Sequence, residues 1–396
     1  MTVRTAENDL APGTALTVLV AISFGHFTND LLQSLLPAIY PVLKDSFALS
    51  FGQVGLLTLA FQVTASLLQP VVGLHVDREG RGLGLAAGMG LMLAGILLLA
   101  VAPNYPVLVG AAMLIGFGSS VFHPGASRIA RLASGGRHGF AQSLFQMGGT
   151  CGSALGPLAA AYMVVPSGRG GIAWFALAAL AAIPVLAWVG AWQGRHAARL
   201  KKTFQPSGLS GRQVSVALAI LMALLFSKFF YLASIGSYLT FYLIDRFGVS
   251  VQTAQLYLFA FSAASAAGTF LGGPIGDRFG RKYVIWASIL GVLPFTLALP
   301  FANLFWSGVL VVVIGATISG AFTAIVVFGQ ELLPHRVGAV SGLFFGFAFG
   351  VAGIGAAVLG ALADFTSIDL VYRVCAFLPA IGLVAAFLPD LERRRP

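Results

Sequence analysis

Two stretches, GLHVDREGRG at 73–82 and GPIGDRFGRK at 273–282, decide how this chain is built. The second repeats the first at an offset of 200 residues, and the match spreads outward from it. Asp45, Phe47, Ser50, Phe61, Gly73, Asp77, Arg78, Gly80 and Arg81 recur as Asp245, Phe247, Ser250, Phe261, Gly273, Asp277, Arg278, Gly280 and Arg281. Agreement at so many charged and glycine positions marks an internal duplication, hence two equivalent halves related by an axis along a membrane normal. Between them runs GRHAARLKKTFQPSGLSGR at 194–212, basic and without a spanning pattern. The predicted division is a first half at 1–194, a cytoplasmic linker at 195–213 and a second half at 214–396.

Composition says what each half is made of. Hydrophobic residues fill 58% of the 396 positions and charged residues only 9%, against about a quarter charged in a soluble domain. Apolar stretches long enough to cross a hydrocarbon core as helices recur along the chain, from 15–43 and 51–76 through 138–165 to 370–389. They predict an all-α membrane protein with about twelve transmembrane helices, six in each pseudo-symmetric half. The first stretch carries His26 and Asp30 in its middle and is too long for a signal-peptide core, so it reads as a mature span.

The net charge of +10 is distributed as topology requires rather than as nucleic acid would. Arg78, Arg81, Arg131, Arg137, Lys201, Lys202, Arg278, Arg281 and Arg336 fall on alternate loops, whereas the opposite side holds Lys44, Arg169, Arg246 and Arg373. That asymmetry predicts that both termini are cytoplasmic. Cys151 and Cys375 sit in apolar stretches and read as neither metal ligands nor a disulfide. No Gly-x-Ser-x-Gly, His-Glu-x-x-His or Walker phosphate loop occurs, which argues against an enzyme and a self-contained ATP-driven pump. No cofactor is expected.

The repeated loop suits a gate. Gly73 and Gly273 let helices approach closely, and Gly80 and Gly280 permit a tight turn. The carboxylate of Asp77 or Asp277 can face a helix N-terminus across the seam between halves, with Arg81, Arg281 and Lys282 nearby. The plainer reading is that these charges satisfy topology and cap helices.

Ionisable residues inside the membrane are costly and therefore candidates for function. Asp30 lies at mid-span with His26 one turn before and Gln33 one turn after, so the three share a face. Asp30 fits a proton carrier, with His26 as neighbour or relay; a hydrogen-bonded structural trio is the alternative. Glu331 stands near a span end before Pro334 and reads as structural. The fourth span offers His123 and Arg128, and the seventh offers Lys228 followed by Tyr231, Tyr238 and Tyr242 at helical spacing. Gln62, Gln142 and Gln146 are polar candidates for a lining, although packing glutamines would look alike. Cations outnumber carboxylates in this set, which favours a small anionic substrate.

The loop pair resembles the signature of the major facilitator superfamily, with Gly82 standing where the first copy usually has Lys. GGTCGSALGP at 148–157 is similar to the glycine-proline signature of that superfamily's antiporters, although ordinary close packing would use the same residues. In that superfamily the first, fourth, seventh and tenth spans line the cavity. The resemblance therefore implies that Asp30, His26, Gln33, His123, Arg128, Lys228 and Tyr231 meet in one chamber. More closely, LLQSLLPAIYP (31–41), FQVTASLLQPVVG (61–73), GSSVFHP (118–124) and FSKFFYLASIGSYLTFYL (226–243) resemble the fosmidomycin resistance transporters. That implies proton-coupled antiport, with efflux of a small phosphonate antibiotic by alternating access, working as a monomer. The nearest alternative is an uptake or exchange carrier for an organic phosphate. One departure stands out: the family reads His-Pro-Glu where this chain has His123-Pro124-Gly125. A Glu at 125, three residues before Arg128, would share its helix face.

Overall fold

The computed structural model describes residues 14–39, 43, 46–49, 51–79, 83–159, 163–200 and 209–390. They are built from helices, with no strand among the described residues. In chain order these are α1 (Leu16–Ala38), α2 (Phe51–Leu67), α3 (Gln69–Glu79), α4 (Leu83–Val101), α5 (Tyr105–Leu132), α6 (His138–Ala159) and α7 (Ala176–Leu200). The second half continues with α8 (Gly211–Phe247), α9 (Val251–Phe279), α10 (Arg281–Ile289), α11 (Leu293–Ala298), α12 (Leu304–Leu332), α13 (Val337–Phe365) and α14 (Ile368–Cys375). A 3-10 stretch, Leu378–Phe387, follows. α7 runs on into the expected linker as far as Leu200, and 201–208 lie outside the described residues.

Nine helical segments among the described residues are long and apolar enough to cross a bilayer, so the chain is a multi-pass membrane protein. The other expected spans, 15–43, 51–76 and 138–165, fall on α1, α2 with α3, and α6. α1 and α6 are helical but less apolar, and the reason is visible in their residues; within 51–76, Leu59–Leu74 is a shorter apolar helix. α1 carries His26, Asn29, Asp30 and Gln33, and α6 carries Gln142, Gln146, Thr150 and Ser153. Polarity that weakens the spanning signal is polarity turned inward.

Helix ends follow local rules. Asn104, Ser250, Asn303 and Ser367 each accept a hydrogen bond from the first turn of the helix they precede, satisfying backbone donors that a bilayer cannot. Ser210 and Gln213 form a reciprocal capping box at the start of α8. Gly280, at φ 102°, makes the turn between α9 and α10 in a backbone region that disfavours side chains; Gly80 lies outside the described residues.

The duplication is visible in the packing. Gly73 on α3 sits against the backbone of Gly338 on α13, and its counterpart Gly273 on α9 sits against Gly139 on α6. Within the halves, Gly116 faces the carbonyl of Phe61 and Gly315 faces that of Phe261. Without a hydrophobic drive between helices in lipid, such close backbone approach is what holds helices together. The run in 148–157 does the same for α1 and α6: Gly148 faces Ser23, Gly152 the carbonyl of Phe27, and Gly156 Ser34. Leu16, Val20 and Phe24 form an exposed apolar edge on the other side of α1, where lipid replaces water as solvent.

Candidate functional site

A cavity of about 370 Å³ opens between the halves. From the first half, His26 and Asp30 of α1 and Gln146, Thr150 and Ser153 of α6 line it. From the second half come Lys228 and Phe229 of α8, Ser262, Ser265 and Thr269 of α9, Ser319 and Phe322 of α12, and Phe345 and Phe349 of α13. The structure thus gathers Asp30, His26, Gln146 and Lys228 in one chamber. Gln33 and His123 join as direct neighbours of Asp30 rather than as lining. Arg128, Tyr231 and Tyr238 are not among its lining residues. Arg128 is buried in α5, and Tyr231 belongs to a second-half core with Tyr242 and Tyr372. Helical spacing placed the tyrosines on the face of Lys228, but α8 turns that face towards α14 further along its length.

Asp30 is the centre of the first wall. Asn29 Nδ2 donates to Oδ1 at 2.8 Å and Gln33 Nε2 at 3.1 Å. His26 Nε2 stands 3.4 Å from Oδ2, and His123 Nε2 stands 3.5 Å from Oδ1. Each imidazole is held from behind by a backbone carbonyl: His26 Nδ1–H donates to Phe145 at 2.7 Å and His123 Nδ1–H to Ser119 at 3.1 Å. A carbonyl can only accept, so those Nδ1 atoms carry the proton. In neutral imidazoles both Nε2 atoms are then lone pairs aimed at a carboxylate. Three acceptors facing one another repel until a proton enters among them. Gly149 of α6 makes the room: a Cβ there would collide with His26 Nε2 and come within 2.7 Å of Asp30 Oδ2.

The opposite wall is cationic. Lys228 is 3% exposed; its Nζ donates to the Ser319 carbonyl at 3.2 Å and lies 5.5 Å from the ring centres of Phe229 and Phe322. Among the described residues no carboxylate comes within ion-pair distance of it. An ammonium buried without a counter-ion is costly, and an incoming anion relieves that cost. Sequence reasoning missed the hydroxyls of α9 and Ser319, because serine in a span is as often packing as lining.

Where the expected gate is described, the halves are closed on each other. Asp277 accepts from the backbone N–H groups of Gly139 and Phe140, both at 2.9 Å, at the first turn of α6. Arg281 Nη2 pairs with Asp277 at 2.8 Å, and its Nε lies 3.2 Å from Glu331. Lys282 instead donates to the carbonyls of Ala386 and Leu388, at 2.9 and 2.6 Å, within its own half. Arg81 and the side chain of Asp77 lie outside the described residues. A second, uncharged junction joins the halves nearby. Gln330 Nε2 donates to Ser127 and to Ser341, each at 3.0 Å; Ser341 reaches Ser127 at 3.1 Å, and Ser127 donates to Gln142 at 3.1 Å. All four residues are buried.

Position 125 turns out to face sideways. A Cβ at Gly125 would lie 3.1 Å from Leu85 on α4, within the first half's core. A glutamate there would start its side chain against α4, and position 125 is not among the residues lining the chamber.

The family model of the Major Facilitator Superfamily matches residues 22–353 and 221–396. The chain is 57% identical to the fosmidomycin resistance protein of Escherichia coli K12 over 95% of its own length and 94% of that protein's. It is 39% identical to the MFS-type transporter YfnC of Bacillus subtilis 168, covering 97% and 96% respectively. Among solved structures, the human organic anion transporter MFSD10 superposes with a TM-score of 0.76 at 16% identity, over 96% of this chain and all of the other. The repeat, the cavity between halves and the family match agree: the chain belongs to the Major Facilitator Superfamily, and it is a transporter rather than an enzyme.

Proposed function

We propose that this chain is a proton-coupled antiporter that exports fosmidomycin-like phosphonates, and other small drugs, across a bacterial inner membrane. One observation carries the reading: a single chamber has a carboxylate flanked by two imidazoles on one wall and an unneutralised lysine on the other. The first wall suits a proton, since its three acceptors repel until one is protonated. The second suits an oxyanion. The name of the Escherichia coli relative points to the same ligand.

Alternating access then follows from the seam. The end bearing Arg131, Arg137, Arg278 and Arg336 is read as cytoplasmic by the charge asymmetry, with both termini on that side. The Asp277 junction and the Ser127–Gln330–Ser341 junction lie towards that end and hold it shut, which is the outward-facing arrangement. Protonation of the Asp30 cluster from outside, with release of substrate, would let the halves rock about the fixed site. The protein works as a monomer in this scheme.

Expression in a fosmidomycin-sensitive bacterium tests the direction. Export predicts a raised inhibitory concentration. Sensitisation would instead favour the uptake or exchange of an organic phosphate through the same cationic chamber.

A further inference from the structure

Counting donors on the second wall leads further. The Lys228 ammonium has three N–H groups, and one is committed to the Ser319 carbonyl. Two remain, enough for the two oxygens of a planar carboxylate. A phosphonate has three oxygens in tetrahedral directions, so its third oxygen needs a donor from another element. Three hydroxyl-bearing residues of α9, Ser262, Ser265 and Thr269, line the same cavity. Ser262 already donates to the Leu258 carbonyl at 2.9 Å. The Ser265 hydroxyl is buried and has no partner among the described residues, and Thr269, 8% exposed, lies one turn further along the same wall. A buried hydroxyl left unpaired inside a membrane protein calls for an explanation, and a ligand oxygen supplies one.

We infer that Ser265 and Thr269 complete, with Lys228, a subsite for the three oxygens of a tetrahedral oxyanion, and that they set its preference for phosphonates over carboxylates. The assignment rests on the reading that this chamber takes an anion. It is separate from the Asp30 wall, which handles the proton.

The test is binding to the full-length protein in lipid nanodiscs, with fosmidomycin and propylphosphonate each measured beside its carboxylate counterpart. Ser265→Ala with Thr269→Val should weaken both phosphonates by roughly tenfold or more, the worth of a hydrogen bond to a charged group. Both carboxylates should change by less than about twofold, because Lys228 still serves their two oxygens. Thr269→Ser, tested alone beside Thr269→Val, should keep the phosphonate preference. Equal losses for both classes, or no loss for either, would overturn the subsite. If wild-type protein moves fosmidomycin uphill while the double variant binds it unchanged, the subsite falls and the export reading stands. If propylphosphonate shows the expected selectivity but fosmidomycin is not transported, the subsite stands and the drug reading falls.

Discussion

Asn29, Gln33, His26 and His123 all turn towards one carboxylate, that of Asp30. Two of those neighbours can take up a proton and the others only orient it, so removing the charge at 30 should separate coupling from binding. Asp30→Asn is expected to abolish uphill, proton-driven accumulation while substrate exchange at equal pH persists; wild-type uphill rates would remove Asp30 from the coupling step. At Lys228 the expectation is selective: Lys228→Ala should weaken a phosphonate by about tenfold or more and a neutral analogue far less. Titration calorimetry on both ligands reads this, and equal loss would make the lysine structural. Gly149 tests the room these groups need. Its Ala variant places a methyl against His26 and Asp30, an overpacking cost of ~1–3 kcal/mol. Coupling should fail and the melting temperature should drop, whereas Gly90→Ala, with open space around it, should be neutral or slightly stabilising. Matching behaviour of the two variants would contradict the packing account.

At the scale of elements, the seam is made by glycine contacts and two polar junctions. Asp277→Asn removes the charge that holds the start of α6 and pairs with Arg281. Hydrogen bonds to a charged group contribute about 1.5–3 kcal/mol each, enough to shift a two-state equilibrium several-fold or more towards the inward-open arrangement. Spin labels at Arg137 and Arg336, both exposed, should show longer distances in the variant; unchanged distributions would rule out a gating role. Much of this level was legible beforehand. The offset of 200 residues marked Asp277 in advance, and Asp277 does meet the start of α6 across the seam; the spacing of His26, Asp30 and Gln33 placed them on one face of α1. Other parts depended on a neighbouring helix that no local pattern reveals. Gln330 and Ser341 look like filler until they meet Ser127 across the seam. Tyr231 and Tyr238 looked like lining until α8 turned their face into the second half's core. Position 125 packs against Leu85 on α4, a contact that its spacing to Arg128 does not reveal.

For the whole molecule, the two walls of the chamber belong to different halves, and that division is the basis of the proposed mechanism. The proton cluster rests on α1 and α5 and is wedged from behind by α6, while the lysine and its hydroxyls rest on α8, α9 and α12. His123 also touches the second half directly, its ring lying 5.0 Å from that of Phe345 and 5.5 Å from that of Phe349 on α13. In the proposed mechanism a proton arriving at the first wall would act next to the surface between the halves. The most direct measurement loads purified protein into liposomes and follows radiolabelled fosmidomycin under an imposed pH gradient. The account predicts that the drug accumulates against its own gradient in the compartment from which protons leave, and that a protonophore abolishes this. Equal accumulation with and without the pH gradient, or movement of drug and protons in the same direction, would contradict it.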